Sequence, residues 1–590
     1  SPRRAPIAAG SRPQHAPPQV VALRPAQMGP PEPFARPLVA GEVTVVGQRR
    51  FLVGEVLGQG AYATIWAARA EDSQQDVAIK EMRCGKAPGA LPDASVKKAQ
   101  FEVEVMARLA RTRPECRPAA EAAWNTGEVA APHVLTHQFW PLGPAAPGGF
   151  VCRMVMERRR GAALVSWLDA RLQRRGEFAR PPPGSDAVEH YCISFLTAAG
   201  ASRAMLAQLI PTFARLNSQV AVHRDVNARN LLVFAASDAG PPRASPVAAP
   251  CPSALEFSVV DFGLSADVKE WFGNGEGSWH TENPTGDARY WGPGSWLRFL
   301  GGKEALAAEP ELERQYAQRL DTYALSVCAL EMLTKLHLAP RPQPELAQAL
   351  ARDRGTEVHL VRGIERLRGS WETYWHWAVG WFHRLAAYSR AVCAQDQQAA
   401  QQAWNDLLQG DVARCLRKHV HALCEDIVSV GEACRAQGGG NNGAAPNRIA
   451  WLHAADTLDV LRDMAHESST CGWSDLARRL GPPLAKPPSQ AFQQEARSMR
   501  SAHAVSMPSL PKQVDAGACS PVKRHVSAFL DGPPVLGRVD SSALLSDTDP
   551  ASPVGGCVTV LVAQPTSPQR PGVARLSAEG MRQCGPDPAV

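Results

Sequence analysis

Several short stretches of this sequence carry side chains whose types and spacing suit phosphate and metal chemistry. The densest is Val222-His-Arg-Asp-Val-Asn-Ala-Arg-Asn-Leu-Leu-Val233. Asp225 and Asn230 stand on one loop, after a helical stretch and before a strand-like one. An aspartate so placed can accept a hydroxyl proton, and an asparagine oxygen is a hard ligand for Mg2+. Downstream, the apolar run Phe257-Ser-Val-Val-Asp-Phe-Gly263 ends in Asp261, a second oxygen donor of the same kind. Upstream, Val77-Ala-Ile-Lys80 ends an apolar run in a cation that can be held against phosphate if an acidic group positions it. Glu102 and its neighbour Glu104 are both candidates for that group. Earlier still, Gly58-Gln-Gly60 allows backbone N–H groups to approach a phosphate with no side chain in the way.

These residues need elements to position them. Strand-like runs cover Val43 to Val46, Phe51–Leu57, Thr64–Ala68 and Asp76–Met82. Ser95–Ala110 reads as a helix, with Val103, Met106 and Leu109 at three-residue spacing and Phe101 and Val105 one turn apart. Further apolar runs at His133–Phe139 and Phe150–Glu157 complete an antiparallel sheet carrying a single helix. From Leu164 onward the chain is mainly helical, interrupted by strand-like runs at Leu231–Phe234 and Phe257–Val260. Ala235–Ala254, Arg113–Pro132 and Leu142–Gly149 read as exposed loops, the first a Pro/Ala/Ser insert. Helices are expected over Trp371–Arg390, Gln397–Gln437 and Arg448–Arg479, with a linker at Gly438–Ala445. The expected fold class is therefore α+β, with no internal repeat.

Composition sets the outer bounds. The chain has 590 residues, 45% of them hydrophobic, enough for a sizeable core. Lys and Arg number 63 against 57 Asp and Glu, a net charge of +6, which lacks the dense basic load of a nucleic-acid binder. The 50 prolines and 47 glycines concentrate outside the middle, so residues 1–38 and 482–590 read as Pro-rich disordered tails. The Arg-rich, acid-poor start fits such a tail or an organelle transit peptide. Fourteen scattered cysteines with no C-x-x-C pair point to free thiols in a cytoplasmic or nuclear protein. No apolar run is read as reaching the ~18–20 residues that span a bilayer, so no membrane partner is expected.

In their order and spacing, the motifs from Phe51 to Leu333 resemble the eukaryotic protein kinase superfamily. The resemblance implies a bilobal fold: a small antiparallel β-sheet lobe with one helix over 39–160, and a larger, mainly helical lobe over 161–481, with the 235–254 insert and a divergent helical extension. It implies ATP and Mg2+ as cofactors and a protein as the substrate. Position by position, Gly58 and Gly60 match the phosphate-covering loop, and Leu57, Ile65, Ala78 and Leu232 match the positions that enclose adenine. Lys80 matches the lysine on the α- and β-phosphates, with Glu102 preferred as its helix partner. Met156 and Glu157 match the gatekeeper and hinge, followed by Arg158 and Arg159. Asp225 matches the catalytic base, Asn230 and Asp261 the magnesium ligands, and Asp321 the buried aspartate that anchors the catalytic loop.

Departures from the pattern bear on the acceptor. Ala63 replaces the third loop glycine. Asn227 stands where serine/threonine kinases carry a lysine, and Arg229 where tyrosine kinases carry an arginine, which places Arg229 among the expected catalytic residues. Gly286-Asp-Ala-Arg-Tyr-Trp-Gly-Pro-Gly294 follows the serine/threonine pattern at Gly286, Tyr290 and Pro293, but Asp287 replaces its threonine and Gly294 its acidic residue. The expectation is transfer of the ATP γ-phosphate to protein Ser/Thr hydroxyls. Tyrosine or dual specificity, and a pseudokinase scaffold, are the alternatives. Arg224 is expected to pair with a phosphate on Ser278, Thr281 or Thr285. Ser-Pro pairs at 245, 520, 552 and 567 are candidate phosphorylation sites, and the C-terminal helices and Pro-rich tails are candidate partner-binding segments. The aromatic cluster from Trp371 to Phe382 reads as helix core.

Overall fold

The computed structural model describes residues 34–60, 63–84, 92–111, 129–142, 149–175, 187–235, 255–273, 277–337, 356–439 and 445–481. Nearly all of both expected tails, residues 236–254 of the insert and all four Ser-Pro pairs lie outside them.

The described chain is a mixed α+β fold. Six strands form one antiparallel sheet: β1 (Val43–Val46), β2 (Arg49–Gln59), β3 (Ala63–Ala70), β4 (Asp76–Cys84), β5 (Val134–Pro141) and β6 (Phe150–Glu157). Their order is β1-β2-β3-β4-β6-β5, so β4 is an inner strand. Side chains alternate along a strand, and β4 shows the consequence. Val77 and Ile79 enter a small core with Phe51, Val53 and Val155. Ala78 and Met82 turn to the opposite face, into a core shared with α1 (Pro92–Arg111) and the helices beyond. Lys80 keeps the parity of Ala78, which aims it at α1.

After β6 come β7 (Ala162–Ala163), α2 (Leu164–Arg175), α3 (Ala187–Gln219), β8 (Ala221–Val222), β9 (Leu231–Ala235), β10 (Leu255–Val259), β11 (Ala266–Asp267) and α4 (Val268–Trp271). Two short antiparallel sheets, β10-β9-β7 and β11-β8, bracket the loop from His223 to Asn230. Two 3-10 turns, Ser278–His280 and Ala288–Tyr290, lead to α5 (Pro293–Ala307) and α6 (Pro310–His337). Then follow α7 (Thr356–Cys393), α8 (Gln397–Gln409), α9 (Val412–Gly439), α10 (Ala445–Ala465) and α11 (Trp473–Leu480).

Some sequence boundaries move. The first described residues belong to the fold rather than to a tail: Leu38 is buried in the core with Val46, and Ala35 N–H donates to the Pro141 carbonyl at 3.1 Å. The expected surface loop ending at Pro132 is buried over Val129 and Ala131, with Ala130 N–H bonded to Thr212 Oγ1 at 3.0 Å. The helical stretch expected over Gln397–Gln437 is helical, as two helices that meet at a break. Asp411 sits in the left-handed region (φ 42), and a Cβ on Gly410 would lie 1.9 Å from the Trp381 ring. The helix expected over Arg448–Arg479 also divides, because the Arg319 guanidinium, on α6, binds carbonyls at the end of α10 and beyond it: those of Asp463, His466 and Ser469.

In the aromatic cluster, Trp371, Tyr374, Trp381 and Phe382 are buried as expected, while Trp377 is 37% exposed. The nine described cysteines are free. Among the described residues one helix, Val188–Gln219, is long and apolar enough to cross a membrane by length and composition, against the expectation of no such run; half of its apolar window is buried.

Candidate functional site

The strand parity that aims Lys80 at α1 brings its Nζ within 2.6 Å of Glu102 Oε1 and 2.8 Å of Asp261 Oδ1. Glu104, the other candidate, is 59% exposed and lies 3.7 Å from Arg108 instead. Lys80 and Glu102 are buried, whereas the Asp261 side chain is 48% exposed. Burial alone would favour a neutral lysine. The Asp261 and Glu102 carboxylates reverse that and hold Lys80 above the ordinary lysine range, so it stays a cation. Lys80 in turn holds Asp261 below the usual carboxylate range. One cation thus bridges two carboxylates, and the half-exposed one faces outward.

The second group is built on the loop between β8 and β9. Asp321, buried on α6, accepts the backbone N–H groups of His223 at 2.7 Å and Arg224 at 2.9 Å, and Asn217 Nδ2 at 2.8 Å. Asn217 is held from its other side by Trp473 Nε1, 3.1 Å from its Oδ1, so α11 supports the loop from far along the chain. Arg224 adopts φ 68 and Asp261 φ 64, a region that costs a non-glycine residue on the order of 1 kcal/mol or more. Strain of this kind persists only where surrounding contacts over-determine it.

Asp225 is buried at the centre of this loop. Its Oδ1 accepts Asn227 Nδ2 at 2.8 Å and the Asp287 N–H at 2.9 Å, while its Oδ2 accepts Asn230 Nδ2 at 2.9 Å. Burial, with the negative charges of Asp261 and Asp287, pushes its carboxyl up to about 7. Asn230 Nδ2 also donates to the Asp225 carbonyl at 2.9 Å. Both amide protons are thereby engaged, leaving the Asn230 oxygen to act as a donor atom for a cation. Asn230 and Asp261 together present the hard oxygen chemistry that Mg2+ requires.

The remaining expected residues fall in two groups. Gly58, Gly60 and Ile65 lie where β2 turns into β3, with Gly60 N–H bonded to the Ala63 carbonyl at 2.8 Å. Leu57 is 42% exposed there. Ala78 is paired with Met156 in the β4–β6 register, and Leu232 with Ser258 in the β9–β10 register. Glu157 follows Met156 at the end of β6 and lies 3.2 Å from Arg159. Arg159 is tied to the protein itself. Its guanidinium binds the Ala131 carbonyl at 2.7 Å and the Val129 carbonyl at 3.3 Å, a structural tie to the segment before β5. Arg229 is set in the loop by its backbone N–H, 2.9 Å from Asn227 Oδ1.

The segment after Asp261 returns to Asp225. Gly286, at φ 88, passes so close that a Cβ there would lie 2.6 Å from Asp225 Oδ1, so only glycine fits. Asp287 then pairs with Arg289 and puts its own N–H on Asp225. Tyr290 Oη donates to Glu331 at 2.8 Å. Where the family pattern has an acidic residue, a Cβ on Gly294 would lie 2.3 Å from the Leu312 carbonyl; its N–H instead donates to Gln315 Oε1 at 3.0 Å. Arg224, expected to await a phosphate, already pairs with Glu282, binds the Asn283 carbonyl at 3.0 Å and lies over the Trp271 ring. A cavity reaches Asp225 between Asp287, Trp291, Gln315 and Tyr323. Sequence reading missed Glu282, Glu331 and Gln315, since nothing local marks them.

No protein-family model matches the chain, and the curated proteins hold no match to it.

Proposed function

We propose that this protein is a Mg·ATP-dependent protein kinase that transfers the γ-phosphate to serine or threonine hydroxyls. The observation that carries the reading is the convergence of five segments: Lys80 on both Glu102 and Asp261, with Asp225 and Asn230 presented from one loop tied to Asp321. In this reading the six-stranded sheet with α1 is the small lobe and the helices form the large one. Phosphoryl transfer rests mainly on positioning and charge stabilisation. Lys80 orients the α- and β-phosphates, and Glu102 holds Lys80. Ala78, Ile65, Met156 and Leu232 enclose the base. Asp225 takes the proton of the acceptor hydroxyl. Asn230 and Asp261 would hold Mg2+, which supplies charge neutralisation on the phosphates. The preference for serine or threonine rests on Gly286, Tyr290 and Pro293.

The test is Mg·ATP turnover on mixed protein substrates followed by phosphoamino-acid analysis, comparing wild type with Asp225→Asn. Phosphoserine or phosphothreonine from wild type, reduced at least ~100-fold in the variant, is the expected result. Absence of transfer by folded wild type that binds ATP moves the protein to a kinase-shaped scaffold. Phosphotyrosine alone overturns the acceptor assignment.

A further inference from the structure

Glu102 can meet Lys80 only if α1 is held at the right height along β4, and one side chain on α1 reaches across to the loops that carry the other site residues. Arg108 Nη1 lies 2.5 Å from Asp267 Oδ2, and its Nη2 donates to the Gln219 carbonyl at 3.0 Å. Gln219 ends α3 just before β8, the strand that leads into His223 and Asp225. Asp267 lies on β11, which continues the segment from Asp261 and pairs with β8 through Ala266 to Val222 and Asp267 to Ala221. Asp267 is itself fixed, because its Oδ1 caps α4 through the Lys269 N–H at 2.7 Å. Arg108 therefore touches the segments that bear Asp225 and Asp261 from the helix that bears Glu102.

We propose that Arg108 is a positioning residue: by pinning α1 to Asp267 and to the Gln219 carbonyl, it sets the register in which Glu102 meets Lys80. Its effect on nucleotide binding rests on the kinase reading above, whereas its effect on the helix does not. The Arg108 and Asp267 side chains are only 23% and 17% exposed, so water and salt screen this pair less than a surface contact. The fork geometry of the guanidinium serves a carboxylate and a carbonyl together, which a lysine cannot reproduce in full.

The test uses the full-length chain as wild type, Arg108→Ala, Asp267→Asn and the double variant. Asp267→Asn removes the charge while keeping an acceptor oxygen for the α4 cap, which guards against simple misfolding; thermal unfolding checks that each variant folds. Hydrogen exchange of the α1 amides is read first, without nucleotide, and equilibrium binding of a fluorescent ATP analogue with Mg2+ second. Each single variant is expected to speed exchange over α1 and to weaken binding about tenfold, with the double no worse than Arg108→Ala, the signature of coupled partners. Arg108→Lys is expected to restore part of both. Unchanged α1 exchange in both single variants, or effects that simply add in the double, overturns the proposal. Normal α1 responses in a protein that binds no Mg·ATP instead overturn the kinase reading and leave the strut standing.

Discussion

Asp225 shows how a single carboxylate acquires a role from its surroundings. Three donors fix its oxygens, and burial beside Asp261 and Asp287 raises its carboxyl to about 7. A proton acceptor must be ionised, so kcat/KM for transfer is expected to rise with pH through about 7. Replacing Asp287 with Asn removes one of the charges that resist ionisation, so the acid limb should move to lower pH; an unmoved limb would show that Asp287 does not act on Asp225. Stability runs the other way. Because the folded-state value lies above the ordinary 3.8, the stabilising protonated form is fully present below that value and is lost as pH rises through about 7. The stability of Asp225→Asn, which does not titrate, should therefore shift in its favour relative to wild type as pH rises from 5 to 8, by a few kcal/mol at most, read by urea denaturation at each pH. Asp225, Asn230 and Asp261 were legible in the sequence because short motifs hold them. Asp287 was visible only as a departure from a pattern. Glu282, which engages Arg224 across 58 positions, had no local signal.

Elements were legible where one periodicity governs them and obscure where a distant contact ends them. β4 declares itself by its apolar run, and its alternation alone predicts that Lys80 shares a face with Ala78. The breaks within the C-terminal helices have no such mark, since Gly410 is required by the Trp381 ring and α10 ends where Arg319 from α6 takes its carbonyls. Arg319 is buried, with Nη1 donating at 2.8 Å to both His466 and Ser469 carbonyls. Its removal takes the guanidinium donor from the Asp463 and Ser469 carbonyls, each loss costing on the order of 1–3 kcal/mol, while the His466 carbonyl keeps the Ser469 N–H at 3.2 Å. Arg319→Leu is thus expected to lower stability by about 2–4 kcal/mol, seen as a lower urea midpoint with an unchanged slope. A midpoint within error of wild type would mean that water or a shifted loop satisfies those groups.

At the scale of the molecule, the sheet face carrying Ala78, α1 and the helices to α11 share one continuous core. The site depends on that continuity, since Trp473 on α11 reaches the loop of Asp225 through Asn217 and Asp321. A polar network ties the C-terminal helices of the same body together. Glu467, fully buried after α10, accepts Arg417 Nε at 2.8 Å and the His421 ring nitrogen at 2.5 Å, both from α9. Arg417 also reaches Glu311 at 2.7 Å and Glu309 at 3.2 Å, joining α9 to the turn between α5 and α6. Burial works to raise the Glu467 carboxyl, but the hydrogen bonds from His421 and Arg417 prevail and hold it below the ordinary 4.5. A lowered folded-state value means that its stabilisation is complete above the ordinary value and is lost as pH falls through the depressed one. Glu467→Gln should accordingly be less stable than wild type at pH 7, by on the order of 2 kcal/mol, with the gap closing as pH drops below 4.5. Chemical denaturation of both proteins across that range decides it. A gap that stays constant would show that Glu467 stabilises the helices through shape and hydrogen bonding alone, without the charge that Arg417 and His421 surround.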